Sequence, residues 1–172
     1  MCCGILAVWW VVATGGCAAY NVGYTSLYRP DITTIHVPVI ESDSLRRELG
    51  ERLTEIVIKK IEMRTPMKVT HDPNADSTLI VRITSDEKRV IAENAGDDPR
   101  DIEVGVNVQV TWRDRRGNPL TPQTAIPIES PTLAIAQAAD FIPEAGQSLA
   151  TAQQEVLERV ADQIVAQLEM PW

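Results

Sequence analysis

The chain has 172 residues, a length that suits one domain with a full core, and its formal net charge is −8. An acidic balance argues against a nucleic-acid partner, because phosphate contacts need a basic stripe, and equally against simple electrostatic adhesion to anionic lipid. All three cysteines (Cys2, Cys3 and Cys17) fall at the N-terminus, so the remainder has no thiol chemistry, disulfide or Cys-based metal site.

The first segment, Ile5 to Cys17 (ILAVWWVVATGGC), is an apolar run that ends in Thr14-Gly15-Gly16 and a cysteine. A signal peptidase groove admits extended backbone with little bulk, which two glycines supply. We therefore read residues 1–16 as a lipoprotein signal peptide and Cys17 as the residue to be lipidated. The apolar run Ile5–Ala13 spans about 14 Å as a helix at roughly 1.5 Å per residue, against about 30 Å for a hydrocarbon core. It is too short to cross alone. No charge precedes Arg29 and no basic n-region precedes the run, so an uncleaved anchor from Cys2 to Ala19 and plain secretion stay open as alternatives. In a cytosol, Cys2 and Cys3 would instead be palmitoylation candidates.

Residues 17–31 then form the lipidated cysteine and a tether without helical or strand period, whose tyrosines can rest on the domain. A single domain is expected over residues 32–172. Thr33–Ile40 (TTIHVPVI) alternates as a strand with Ile35, Val37 and Val39 on one face, and Pro38 places it at an edge. Asp43 or Ser44 is positioned to cap a helix running to about Met63. Leu45, Leu49, Leu53, Ile56, Val57 and Ile61 make its buried stripe, and Gly50 within it marks a close approach to a neighbour.

Ser77–Ile91 reads as a strand, and Ile102, Val104, Val106, Val108, Val110 and Trp112 give the clearest alternation in the chain. The polar stretch Asn94–Asp101 connects the two. Asp114–Asn118 turns the chain, and Leu120–Glu129 is expected to return as the partner strand, short or irregular because of Pro119, Pro122 and Pro127. Residues 130–142 leave strand, loop and helical turn open. A last helix, from about Gly146 to Leu168, has Leu149, Ala152, Val156, Val160, Ile164 and Leu168 as its stripe. The predicted class is α+β, a two-layer roll. Two amphipathic helices pack on one face of a mostly antiparallel four-stranded sheet, in the order β-α-β-β-β-α.

Few residues invite chemistry. His36 alternates with the apolar face of its strand and is expected to point to solvent, while His71 lies in a turn, so no metal site is expected. Asp97-Asp98 reads as a solvated loop. There is no phosphate-cradling glycine loop and no nucleophile elbow. The sequence describes a binding or assembly protein, not an enzyme, with no cofactor. One cluster stands out: Arg113, Arg115 and Arg116 crowd a hairpin tip, where they could meet a phosphate-bearing ligand or simply keep a turn soluble.

The stretch from Cys17 through Tyr20-Asn21-Val22-Gly23-Tyr24, Leu27-Tyr28-Arg29-Pro30-Asp31-Ile32 and TIHVPVI resembles the lipopolysaccharide-assembly lipoprotein family (LptE-like). LRRELGERLTEIVIKKIEMRTP, ADSTLIVRI, VQVTWRDRRGNPL and the final helix extend the resemblance over nearly all of the chain beyond Cys17. It implies a lipoprotein in the inner leaflet of the outer membrane, facing the periplasm and held by a diacylglyceryl group with an added amide-linked chain. Its implied partners are a large β-barrel translocon, which it plugs and helps to fold, and lipopolysaccharide in transit. Ala18 after Cys17 agrees with outer-membrane sorting. The basic surface residues implied to touch the glycolipid have no one-to-one match here. The other reading is a periplasmic lipoprotein of different role, a scaffold or a carrier for a small amphiphile.

Overall fold

A computed structural model describes residues 27–46, 48–93, 96, 99–120 and 132–169. Their elements are β1 (Thr34–His36), β2 (Glu41–Ser42), α1 (Glu48–Arg64), β3 (Lys68–Thr70), β4 (Ser77–Glu93), β5 (Pro99–Asp114), β6 (Leu133–Phe141) and α2 (Leu149–Ala166). A 3-10 turn, Pro143–Ala145, precedes α2. The signal peptide, Cys17 and most of the tether lie outside the described residues, as do Asp97 and Asp98.

The α+β class and the two helices on one sheet agree with the sequence; the sheet itself does not. It is mixed and six-stranded, in the order β3-β1-β4-β5-β6 with β2 also against β4. β4, β5 and β6 pair antiparallel, whereas β1 runs parallel to both β3 and β4, and β2 parallel to β4. A mostly antiparallel four-stranded sheet is thereby corrected. β2 and β3 have two and three residues, too few to show a period of two. The crossover through α1 returns the chain in its original direction, which forces β3 parallel to β1. The partner along the outer edge of β5 is β6, in the stretch whose sequence left three conformations open. Residues 121–129 of the expected partner are not among those described; Leu120 N–H donates to the Trp112 carbonyl at 2.8 Å.

The alternation in β5 is realised: Ile102, Val104, Val106, Val108, Val110 and Trp112 are all buried. Leu79, Val81 and Ile83 of β4 share that face, and Leu49, Leu53, Val57 and Ile61 of α1 cover it together with Val156, Leu157, Val160 and Ile164 of α2. Ser148 caps α2, its hydroxyl accepting from Thr151 N–H at 3.2 Å. The helices lie side by side and parallel, since Arg52 donates to Gln154 at 2.8 Å and Lys60 to Asp162 at 2.5 Å. Both finish towards the end of the sheet where β4 begins, α1 leading into β3 beside β1 and Glu169 after α2 pairing with Tyr28 near Arg64.

α1 starts later than its apolar pattern suggests. Asp43 takes Arg82 in two hydrogen bonds of 2.9 and 2.6 Å, and Ser44 accepts from Arg46 N–H at 3.2 Å, so neither caps the helix as expected. Leu45 consequently lies outside the stripe and is 102% exposed, while Leu49 is fully buried. β1 likewise ends at His36, and Val39 is exposed with Ile40 buried in its place. Gly50 does mark a close approach: a Cβ there would overlap the Ile40 carbonyl oxygen. The Thr54 hydroxyl completes the clasp, accepting from Ile40 N–H at 2.9 Å and donating to the Gly50 carbonyl at 2.7 Å.

Candidate functional site

The turn 114–118 closes one end of the sheet, and its geometry follows from its residues. Gly117 takes φ +85°, a left-handed conformation that glycine adopts without steric cost. Asp114 ties the turn together, accepting from the backbone N–H groups of Arg116 and Asn118 and from the Asn118 amide, each at 2.8 Å. That amide above all holds the Asp114 carboxyl below its ordinary value.

The three arginines separate here. Arg115 is engaged: its backbone N–H donates to the Asp76 carbonyl at 3.0 Å, and its guanidinium reaches the Asp76 carboxylate at 3.1 Å and the Ala75 carbonyl at 3.3 Å. Arg116 is exposed at the tip. Arg113 is exposed as well, opposite in face to the buried Trp112 beside it. Neither forms an ion pair among the described residues. Of the three, Arg115 alone is ion-paired among the described residues.

Asp76 is the residue that sequence reasoning missed. One of its oxygens accepts from Thr33 N–H at 3.2 Å, Thr33 hydroxyl at 2.7 Å, Thr34 N–H at 2.9 Å and Thr34 hydroxyl at 2.8 Å. These donors, the two hydroxyls first, hold its carboxyl well below the usual carboxylate range. Its partners are about forty residues away in sequence, so no local signal pointed to it.

The tether joins the same end. Tyr28 is buried and pairs by backbone with Glu169 beyond α2. Burial, then the neighbouring Glu169 carboxylate, raises its phenol pKa. A shallow pocket of about 420 Å³ opens between tether and turn, lined by Arg29, Asp31, Ile32, Asp114, Arg116 and Leu120 among others. Its carboxylates rule it out as a simple anion cradle. His36, expected to face solvent, is half-buried instead, with Nδ1 donating to the Thr70 carbonyl at 3.1 Å; β3 supplies the acceptor. His71 is exposed in its turn. Among the described residues no group of three or more His, Cys, Asp or Glu is placed to hold a metal ion, and no described helix is long and apolar enough to cross a membrane.

Residues 32–168 match the family model described as LptE, lipopolysaccharide-assembly. The chain belongs to that family. The matched span begins and ends on buried core residues, Ile32 and Leu168, so the LptE match and the folded domain coincide. Solved structures share the fold. An uncharacterized lipoprotein B from Nitrosomonas europaea is 12% identical, with a TM-score of 0.55 over 87% of this chain and 90% of its own. A protein from Xanthomonas campestris is 12% identical, with a TM-score of 0.52 over 83% and 86%. A hypothetical protein from Chlamydia trachomatis is 8% identical, with a TM-score of 0.51 over 80% and 98%. No curated protein matches the chain in sequence. The LptE family is one of lipoproteins that serve lipopolysaccharide assembly, not one of enzymes.

Proposed function

We propose that this LptE-family chain is cleaved after Gly16, acylated at Cys17, and held in the periplasmic leaflet of the outer membrane. Its domain docks with the β-barrel translocon that carries lipopolysaccharide to the cell surface, plugging that barrel or chaperoning its folding. The observation that carries this reading is the family match over residues 32–168. The fold is compatible with docking: one sheet face is covered by helices, and the other presents the outward-pointing side chains of β4, β5 and β6.

The proposal is tested by capturing the full chain from bacterial membranes in mild detergent. Co-purification of a large outer-membrane barrel is expected, and recovery of none would overturn the docking role. Depletion of the chain should block delivery of lipopolysaccharide to the surface. Normal delivery would instead favour a scaffold or an amphiphile carrier.

A further inference from the structure

We infer that the face of the sheet turned away from the helices is the surface this domain lays against the inner wall of the barrel. This rests on the docking role proposed above and names the surface that serves it. The positions of β5 that alternate with its buried residues are Gly105, Asn107, Gln109 and Thr111, so no outward charge stands between Glu103 and Arg113. β6 sets Ala138, Ala136 and Ala134 beside the first three of these, and β4 sets Ile80, 43% exposed, beside Thr111. Arg82 and Glu87 border the patch on β4; Arg82 is turned to Asp43 by hydrogen bonds of 2.9 and 2.6 Å. The opposite surface differs. There α1 exposes Glu48, Glu51, Glu55, Lys59 and Glu62, and α2 exposes Glu155, Glu158 and Arg159.

Desolvation decides between the two surfaces. Removing an unpaired charge from water is costly, and the centres of protein interfaces are correspondingly poor in charged side chains. The outer sheet face can lose its water without burying a charge; the helical surface cannot. Its side chains are also short, and they leave a flat surface of the kind on which sheets pack face to face, about 10 Å apart. The wall of a barrel is itself a sheet, and its lumenal side chains are polar, as Asn107, Gln109 and Thr111 are. A second copy of the chain fits less well. The patch covers roughly 20 Å along β5 by about 14 Å across three strands, on the order of 300 Å², against about 800 Å² per partner in a stable complex. Ile80 is the large apolar side chain it exposes, whereas homodimer interfaces are about 65% apolar. A barrel around the domain adds contacts at the edges of the sheet, which a copy stacked face to face does not.

The test uses the full chain in bacterial membranes. A photoreactive p-benzoylphenylalanine replaces Gln109 or Ala136 on the outer sheet face, or Glu55 or Glu158 on the helices, all four exposed. Crosslinks to the co-purifying barrel are expected from the first pair and not from the second. Gln109→Glu combined with Ala136→Glu should lower barrel capture by roughly tenfold or more, with an unchanged melting temperature showing that the variant is folded. Glu55→Lys should leave capture intact. Crosslinks from the helical positions alone, or equally from both pairs, would overturn the assignment, as would crosslinks at Gln109 or Ala136 that join two copies of the chain. The two readings fail separately. A barrel captured by the unmodified chain, with no crosslink from the sheet face, overturns this surface and leaves docking standing. No barrel captured at all overturns both.

Discussion

Gly50, Thr54 and Ile40 form a contact in which each residue is set by the next. An alanine at 50 would gain about 1 kcal/mol of helix propensity, yet its Cβ would overlap a backbone carbonyl, which cannot rotate away as a side chain can. Gly50→Ala is expected to lose about 1–3 kcal/mol net, seen as a lowered melting temperature. Thr54→Val keeps the volume but leaves the buried Ile40 N–H without its acceptor, at a cost of about 1–3 kcal/mol; Thr54→Ser should recover most of it. Asp76 gives a pH prediction. Its folded pKa is depressed, so its contribution is full above the unfolded value of about 4 and is lost as pH falls further, toward the folded value. Asp76→Asn should lower the melting temperature at pH 7 and flatten its decline below about pH 4. An unchanged acid limb in the variant would refute that role.

At the scale of elements, the two leucines at the start of α1 show what periodicity resolves. Leu45 and Leu49 stand four apart and fit one stripe equally well, but the Ser44 turn and the Asp43–Arg82 pair hold the chain out of helix until Glu48. Leu49→Ala should cost about 2–5 kcal/mol, and Leu45→Ala less than about 0.5 kcal/mol, both measured by denaturant unfolding. The Lys60–Asp162 and Arg64–Asp162 pairs tie the parallel helices together at 2.5 and 2.9 Å. Asp162 is partly exposed, so Asp162→Asn should cost no more than about 1 kcal/mol. The helices are held chiefly by their buried stripes.

For the whole molecule, Tyr28 of the tether, the ends of both helices and the 114–118 turn meet at one pole. If Cys17 is the anchor, Cys17→Ser should yield unprocessed protein that appears in the soluble fraction with its signal retained. A mature N-terminus at Met1 would remove the basis for outer-membrane attachment.

Much of this was legible in the sequence. The alternation from Ile102 to Trp112 fixes which face of β5 is buried, since side chains in a strand point to opposite sides in turn. The stripes of α1 and α2 fix two amphipathic helices in the same way, and Gly50 signals a close neighbour without naming it. Tertiary structure decided the rest. β2 and β3 are too short to carry a period and exist as strands only because β1 and β4 offer them hydrogen bonds. Asp76 acquires its role from Thr33, Thr34 and Arg115, and of three arginines alike in sequence one is tied to Asp76 while the other two are exposed. Local pattern records which side of an element is apolar; which distant partner satisfies a charge or a backbone edge is settled only when the chain closes on itself.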